Sequence, residues 1–260
     1  EVLEEFDRYA AVLGRRLGEM HSVLAQKSDD PAFAPETAST ARCADWAAAV
    51  QQQLERALEL LAGIAAWPAP EDRERAELLL ASRAQLGELI DNLAQMGIGS
   101  VCSRTHGDLH LGQVLIAQGD AYFVDFEGEP ARSLDQRRAK TSPLRDVAGM
   151  LRSFAYAAAM AVATGANDLD AAASGNKRNL VEQVRTTSER AFLAAYRSAA
   201  AAIPHQWRTP AAEDALIDLF TLEKAAYEIA YEAASRPAWL HVPLRGLLEA
   251  ARRLGALASS

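Results

Sequence analysis

Apolar positions in this chain recur mostly at helical spacing. Val2, Leu3, Phe6, Ala10, Leu13, Leu17 and Met20 form one stripe, which His21 extends, and they predict a first helix over residues 2–26. An irregular loop follows over 27–37, where Asp29-Asp30-Pro31 and Phe33-Ala34-Pro35 interrupt any periodicity. A second helix is expected over 39–65, stopping before Trp67-Pro68-Ala69-Pro70. A third begins near Glu71-Asp72, whose acids suit a helix N-terminus, and runs to about residue 95. The glycine-rich stretch 96–100 ends it.

The pattern then changes. Val114-Leu115-Ile116 and Tyr122-Phe123-Val124 are short β-like runs, and Gln118-Gly119-Asp120 between them reads as a hairpin turn. Residues 128–142 are polar and aperiodic, with Arg132, Arg137, Arg138 and Lys140 giving either a solvated loop or a phosphate or partner contact. Pro143 opens a helix through 164, and 165–175 is a connection of small residues. Three more helices are expected over 179–202, 211–235 and 243–258. The fold class is mainly α with one small β-hairpin or sheet, without internal repeats or low-complexity tracts.

The loop before the hairpin carries the chemistry. Residues 106–113 read His-Gly-Asp-Leu-His-Leu-Gly-Gln, and Val124-Asp-Phe-Glu closes the second run. Phosphoryl transfer from ATP needs one carboxylate to orient the attacking hydroxyl and take its proton. It also needs a second carboxylate and an amide to hold Mg²⁺ on the phosphates. Protein kinases place an Asp, a residue five positions on, and the Asp of an Asp-Phe-Gly turn in that order. Asp108, Gln113 and Asp125 keep the order and a similar spacing. A hairpin brings both carboxylates to one end of a small sheet, where their mutual repulsion calls for a cation.

Other residues narrow the function. Composition is that of an ordinary soluble globular chain, long enough for a sizeable core. A net charge of −8 leaves no basic stripe for nucleic acid. Cys43 and Cys102 are isolated, so neither a zinc site nor a disulfide framework is expected and a reducing cytoplasm is the default. No apolar run is long enough to span a bilayer, and no signal peptide opens the chain. His21, His205 and His241 read as ordinary. The chain opens inside a helix at Glu1, as expected of a processed product or a piece of something longer.

An acceptor site would need flat apolar faces and polar groups. Glu223, Tyr227 and Tyr231 are spaced by four on one helix, with Lys224 and Glu228 beside them. That stripe is either packing or a sugar platform. Trp239 is either a further platform or a core anchor.

Long stretches resemble the bacterial maltokinase family, including the form fused to trehalose synthase. The resemblance rests on His106–Leu115, on Val124-Asp-Phe-Glu-Gly-Glu-Pro-Ala-Arg, and on Ser142-Pro-Leu-Arg-Asp-Val-Ala-Gly-Met-Leu-Arg-Ser-Phe. It continues through Leu222-Glu-Lys-Ala-Ala-Tyr-Glu, Arg236-Pro-Ala-Trp-Leu, Pro243-Leu-Arg-Gly and Asp30-Pro-Ala-Phe-Ala-Pro-Glu. It implies an aminoglycoside-phosphotransferase-like, protein-kinase-like α+β fold, with residues 1–260 as the C-terminal catalytic lobe. The loop and hairpin would occupy 101–127. No Gly-x-Gly-x-x-Gly and no Gly-Lys-Ser/Thr is present, so the N-terminal nucleotide lobe is expected to be absent.

The implied reaction is ATP- and Mg²⁺-dependent phosphorylation of maltose at its anomeric hydroxyl, with trehalose synthase as an associated partner. Asp108 would be the base, with Gln113 and Asp125 on Mg²⁺. Glu127 would assist a second metal or be a plain exposed acid. His106 would brace the loop, as would Arg145 and Asp146 by ion pairing. His110 would bond either substrate or backbone, and Glu223, Lys224, Tyr227, Tyr231 and Trp239 would meet the sugar. Two other readings stand beside it. One is an amino-sugar or aminoglycoside kinase, to which the three glutamates of 222–232 would be suited. The other is a non-catalytic partner domain lacking its nucleotide lobe.

Overall fold

The structure is a computed structural model describing residues 2–67, 69–130, 132–164, 171–201, 203 and 209–257. The chain folds into two compact units, one of Glu1–Glu36 and Val101–Gln206, the other of Thr37–Ser100 and Trp207–Ser260. Helix dominates both, as the periodicity predicts. Among the described residues no helix is long and apolar enough to cross a membrane.

The first unit is built on α1 (Val2–Leu24), α6 (Leu144–Ala163) and α7 (Ala171–Ala200), with α7 packed against the other two. Two glycines permit the close approach of α1 to α7. A Cβ on Gly14 would lie 2.1 Å from the Phe192 carbonyl oxygen, and one on Gly18 would lie 2.7 Å from the Ala199 Cβ. The next turn carries His21, fully buried and edge-on to Tyr196 at 5.6 Å between ring centres. A hairpin of β3 (Val114–Ala117) and β4 (Asp120–Phe123) lies against α1, where Arg16 Nε donates to Asp120 at 2.7 Å.

The second unit surrounds α8 (Pro210–Ser235), which is buried on nearly every side by α2 (Thr40–Ala62), α4 (Arg83–Met96) and α9 (His241–Arg253). Trp46 meets Phe220 edge-on at 5.5 Å, and α3 (Pro70–Ala81) packs on α9. Each fully buried Leu or Phe here contributes about 1.5–3 kcal/mol. Two-residue strands β1 (Glu36–Thr37) and β2 (Val101–Cys102) occur where the chain passes between units.

Several expected elements differ. The single helix of 71–95 is two, because Ser82 interrupts it: its backbone leaves helical geometry and its hydroxyl donates to the Leu78 carbonyl at 2.7 Å. The polar stretch 128–142 contains a short helix, α5 (Leu134–Arg138), closed by a capping box of Ser133 and Gln136. Ala171 to Gly175 belong to α7 rather than to a connection, since small residues without proline favour helix as readily as loop. The last helix ends at Arg253. Residues 165–170 and His205 lie outside the described residues.

Candidate functional site

The sharp turn between β3 and β4 places Gln118 and Gly119 at positive φ, the geometry of a tight two-residue hairpin. Asp120 therefore belongs to β4 rather than to the turn. Pairing runs Val114 with Phe123 through Ala117 with Asp120, and the Val124 N–H to Gln113 carbonyl bond of 3.0 Å extends it. That register carries Gln113 to Asp125: the Gln113 amide Nε2 donates to Asp125 Oδ2 at 2.9 Å. Two residues singled out from spacing thus meet.

Asp125 is held at φ +66°, a conformation uncommon for any residue but glycine. Such backbone persists where the surroundings enforce it, and it clusters at functional sites. Phe126 follows, exposed to solvent on one side and 4.7 Å from the His106 ring on the other. His106 is buried and its Nε2 donates to the Val124 carbonyl at 2.8 Å, which assigns the ring hydrogen to that nitrogen. Its Nδ1 is buried with no hydrogen-bond partner among the described residues. His106 thus ties the start of the loop to the end of the hairpin.

Loop 106–111 is fastened from α6 at three points. Asp146 accepts from the backbone N–H of His106 at 2.8 Å and of Gly107 at 2.9 Å. Gly149 lets the Leu109 carbonyl approach so closely that a Cβ would lie 2.6 Å from the oxygen. Ser153 Oγ accepts from the Leu111 N–H at 2.9 Å. Positions 146, 149 and 153 share one helix face, so a single face of α6 fixes the whole loop. Asp146 is completely buried. Burial alone would raise its pKa, but hydrogen bonds from His21 and from the two loop amides outweigh this and lower it.

Asp146 thus holds the loop through backbone amides and is itself bonded to His21. Arg145 Nε donates to Thr141 Oγ1 at 2.9 Å. Thr141 in turn exchanges backbone bonds with Ser103 ahead of the loop. Gly107 reverses the chain at φ +86°, delivering Asp108 half-buried immediately after the clamp. His110 caps the short turn Leu111–Gln113, with Nδ1 accepting from the Gly112 N–H at 3.0 Å, so one ring nitrogen serves the backbone. Glu127 is exposed, and its carbonyl accepts from Arg137 at 3.3 Å.

Gln113 and Asp125 fit Mg²⁺ chemically: a carboxylate and an amide oxygen are hard donors, and Mg²⁺ commonly takes one or two such groups with phosphates and water completing the shell. The amide, turned over, presents its oxygen. Among the described residues no group of three or more His, Cys, Asp or Glu side chains is gathered for a metal ion.

In the second unit, the expected stripe on α8 resolves into a buried and an open part. Glu223, Glu228 and Glu232 are buried, the last in a two-pronged pair with Arg236 at 2.6 and 3.0 Å. Tyr227 and Tyr231 stack at 6.4 Å with rings nearly parallel, and both reach the surface. Lys224 Nζ lies 5.1 Å over the Tyr227 ring and the Arg236 guanidinium 5.5 Å over that of Tyr231. Trp239 is half-buried and stacks on His241.

Sequence reasoning missed His21, Gly149 and Ser153. A histidine closing an apolar helical stripe was the available signal for the first.

No family model matches the chain. It is 29% identical over 234 residues to a glucosamine kinase of Streptacidiphilus jiangxiensis, covering 90% of this chain and 47% of that protein. A glucosamine kinase of Mycolicibacterium smegmatis is 29% identical over 231 residues, covering 89% and 50%. A solved glucosamine kinase in complex with glucosamine, ADP and inorganic phosphate matches with a TM-score of 0.77 at 26% identity, over 96% of this chain and 53% of that one. Crystal form B of a glucosamine kinase gives a TM-score of 0.79 at 25% identity, over 97% and 55%. The chain spans about half the length of the curated relatives it matches.

These likenesses correct the sequence reading. The relatives are glucosamine kinases, so the maltokinase resemblance does not hold. The blocks that suggested it, from His-Gly-Asp and Asp-Phe-Glu to Arg236-Pro-Ala-Trp, do not decide the acceptor. Maltose and a trehalose synthase partner fall with it.

Proposed function

We propose that this chain is the phosphotransfer and acceptor half of a kinase-like enzyme that moves the γ-phosphoryl group of ATP to a hydroxyl of an amino sugar, with glucosamine the foremost candidate. The observation that carries the reading is the likeness to glucosamine kinases in sequence and in fold. A match leaving out only about a tenth of the chain takes in the central segment 106–127.

The loop geometry supports phosphoryl transfer. Asp108, following the clamped Gly107, is the group that accepts the proton of the attacking hydroxyl. As the hydroxyl oxygen bonds to phosphorus, the bond to the ADP oxygen breaks and the proton passes to the Asp108 carboxylate. Gln113 and Asp125 are the side chains that would hold Mg²⁺, which when bound supplies neutralisation of phosphate charge.

The acceptor reading rests on α8. An amino sugar at neutral pH carries an ammonium, which carboxylates and aromatic faces attract. Tyr227 and Tyr231 each already carry a cation over the ring, and Glu223, Glu228 and Glu232 lie on the same helix. A neutral disaccharide could stack on the tyrosines but would bring no positive charge to the carboxylates.

The test is ADP formation with Mg²⁺-ATP by the natural full-length polypeptide, given glucosamine, maltose or no sugar. Glucosamine-dependent release well above the other two is expected. Release driven by maltose alone, or by neither sugar, would defeat the proposal.

A further inference from the structure

Three side chains from distant parts of the first unit form one buried hydrogen-bonded chain behind the loop. Tyr196 Oη lies 3.1 Å from His21 Nδ1, and His21 Nε2 lies 3.1 Å from Asp146 Oδ2. Asp146 uses both oxygens: Oδ1 takes the Gly107 N–H, while Oδ2 takes the N–H groups of His106 and His21. Because a carboxylate only accepts, His21 Nε2 must carry the hydrogen, and in the neutral ring Nδ1 then accepts from the Tyr196 hydroxyl.

We propose that His21 is a positioning residue for the phosphotransfer loop, acting through Asp146; the role concerns the same site and rests on the kinase reading above. Two of the three donors around the Asp146 carboxylate belong to the loop being positioned. The third, His21, comes from α1 and is independent of the loop, so it is the group that sets where the carboxylate stands. With it, both oxygens face the amides of His106 and Gly107, and Asp108 is fixed one residue further on. Without it, the carboxylate is free to turn, and the loop turns with it.

Packing does not explain a histidine here. His21 is wholly buried, at the end of a stripe of Leu13, Leu17 and Met20, and a leucine would fill such a place without polar atoms to desolvate. A buried imidazole is costly unless its nitrogens are bonded, and both are. The close crossing at Gly14 and Gly18 is what brings this turn of α1 within reach of Tyr196.

The test compares His21→Gln, His21→Asn and His21→Leu in the full-length polypeptide. Gln places an amide N–H near the position of Nε2, while Asn falls one methylene short and Leu lacks the donor. Sugar-dependent turnover, KM for each substrate and hydrogen exchange of the backbone amides of residues 104–111 are read together. The Leu and Asn variants are expected to lose kcat by on the order of 10²-fold with KM nearly unchanged, since small misplacement of a reacting group costs about that much. Their loop amides exchange faster, whereas Gln retains most turnover and protection. Leu matching wild type, or Gln falling as far as Leu, would overturn the proposal, because volume rather than the bond would then matter. If Leu does not fold, Gln against Asn decides alone. If the unaltered polypeptide shows no turnover with any amino sugar, the kinase reading fails, and amide exchange still decides the His21–Asp146 link.

Discussion

Gly149 on α6 lies directly beneath the Leu109 carbonyl, with room for a hydrogen and for nothing larger. Gly149→Ala would place a Cβ 2.6 Å from that oxygen, so either α6 or the loop must move. Stability should fall by about 1–3 kcal/mol, as for other overpacked sites. Turnover should fall further than stability alone explains, because the loop moves more readily than the helix. Thermal melting and kcat measured on the same preparation check this.

Asp108→Asn keeps the shape of the side chain and removes its basicity. A drop in kcat of about 10²–10⁴-fold with sugar affinity unchanged is expected, the usual worth of general-base help. Steady-state kinetics beside isothermal titration with the sugar separates the two. Undiminished kcat would take Asp108 out of the reaction.

Tyr227→Ala removes half of the stacked pair on α8 and leaves Lys224 without its aromatic face. The KM for the amino sugar should rise about 10-fold, in the range of one lost cation–π and stacking contact, while kcat changes little. An unaltered KM would place the acceptor elsewhere.

The clasp between α1 and the hairpin should titrate. Hydrogen bonds from Arg16 hold the Asp120 carboxyl down at about 2, below its ordinary 3.8. A group whose folded pKa is lowered contributes stability that is complete above the unfolded value and is lost as pH falls through the folded one. Asp120 should therefore stay charged until pH nears 2, and Arg16→Leu should return its midpoint toward 3.8. Carboxyl carbon NMR shifts through an acid titration report both, and an Asp120 midpoint near 3.8 in the unaltered chain would contradict the clasp.

Much of this was written in local pattern. The stripes of α1 and α8 and the hairpin turn depend on near neighbours in sequence, and Asp108, Gln113 and Asp125 could be named from spacing alone. Gln113 and Asp125 meet because a two-residue turn fixes register, which is again local. The break at Ser82 was not legible, since serine continues a helix or interrupts one depending on where its hydroxyl bonds. His21 was hidden for a different reason: its partners lie 125 and 175 residues away, and no periodicity carries that information. The maltose reading was overturned by the likeness to glucosamine kinases, because a kinase-like motif says little about which sugar is taken.

The bond from His21 to Tyr196 also orders events during synthesis. Residue 21 leaves the ribosome well before residue 196, the partner of its Nδ1. Until α7 emerges, His21 lacks the Tyr196 hydroxyl on its second ring nitrogen. A chain interrupted anywhere before α7 would therefore leave an exposed apolar face on α1, a ready substrate for chaperones.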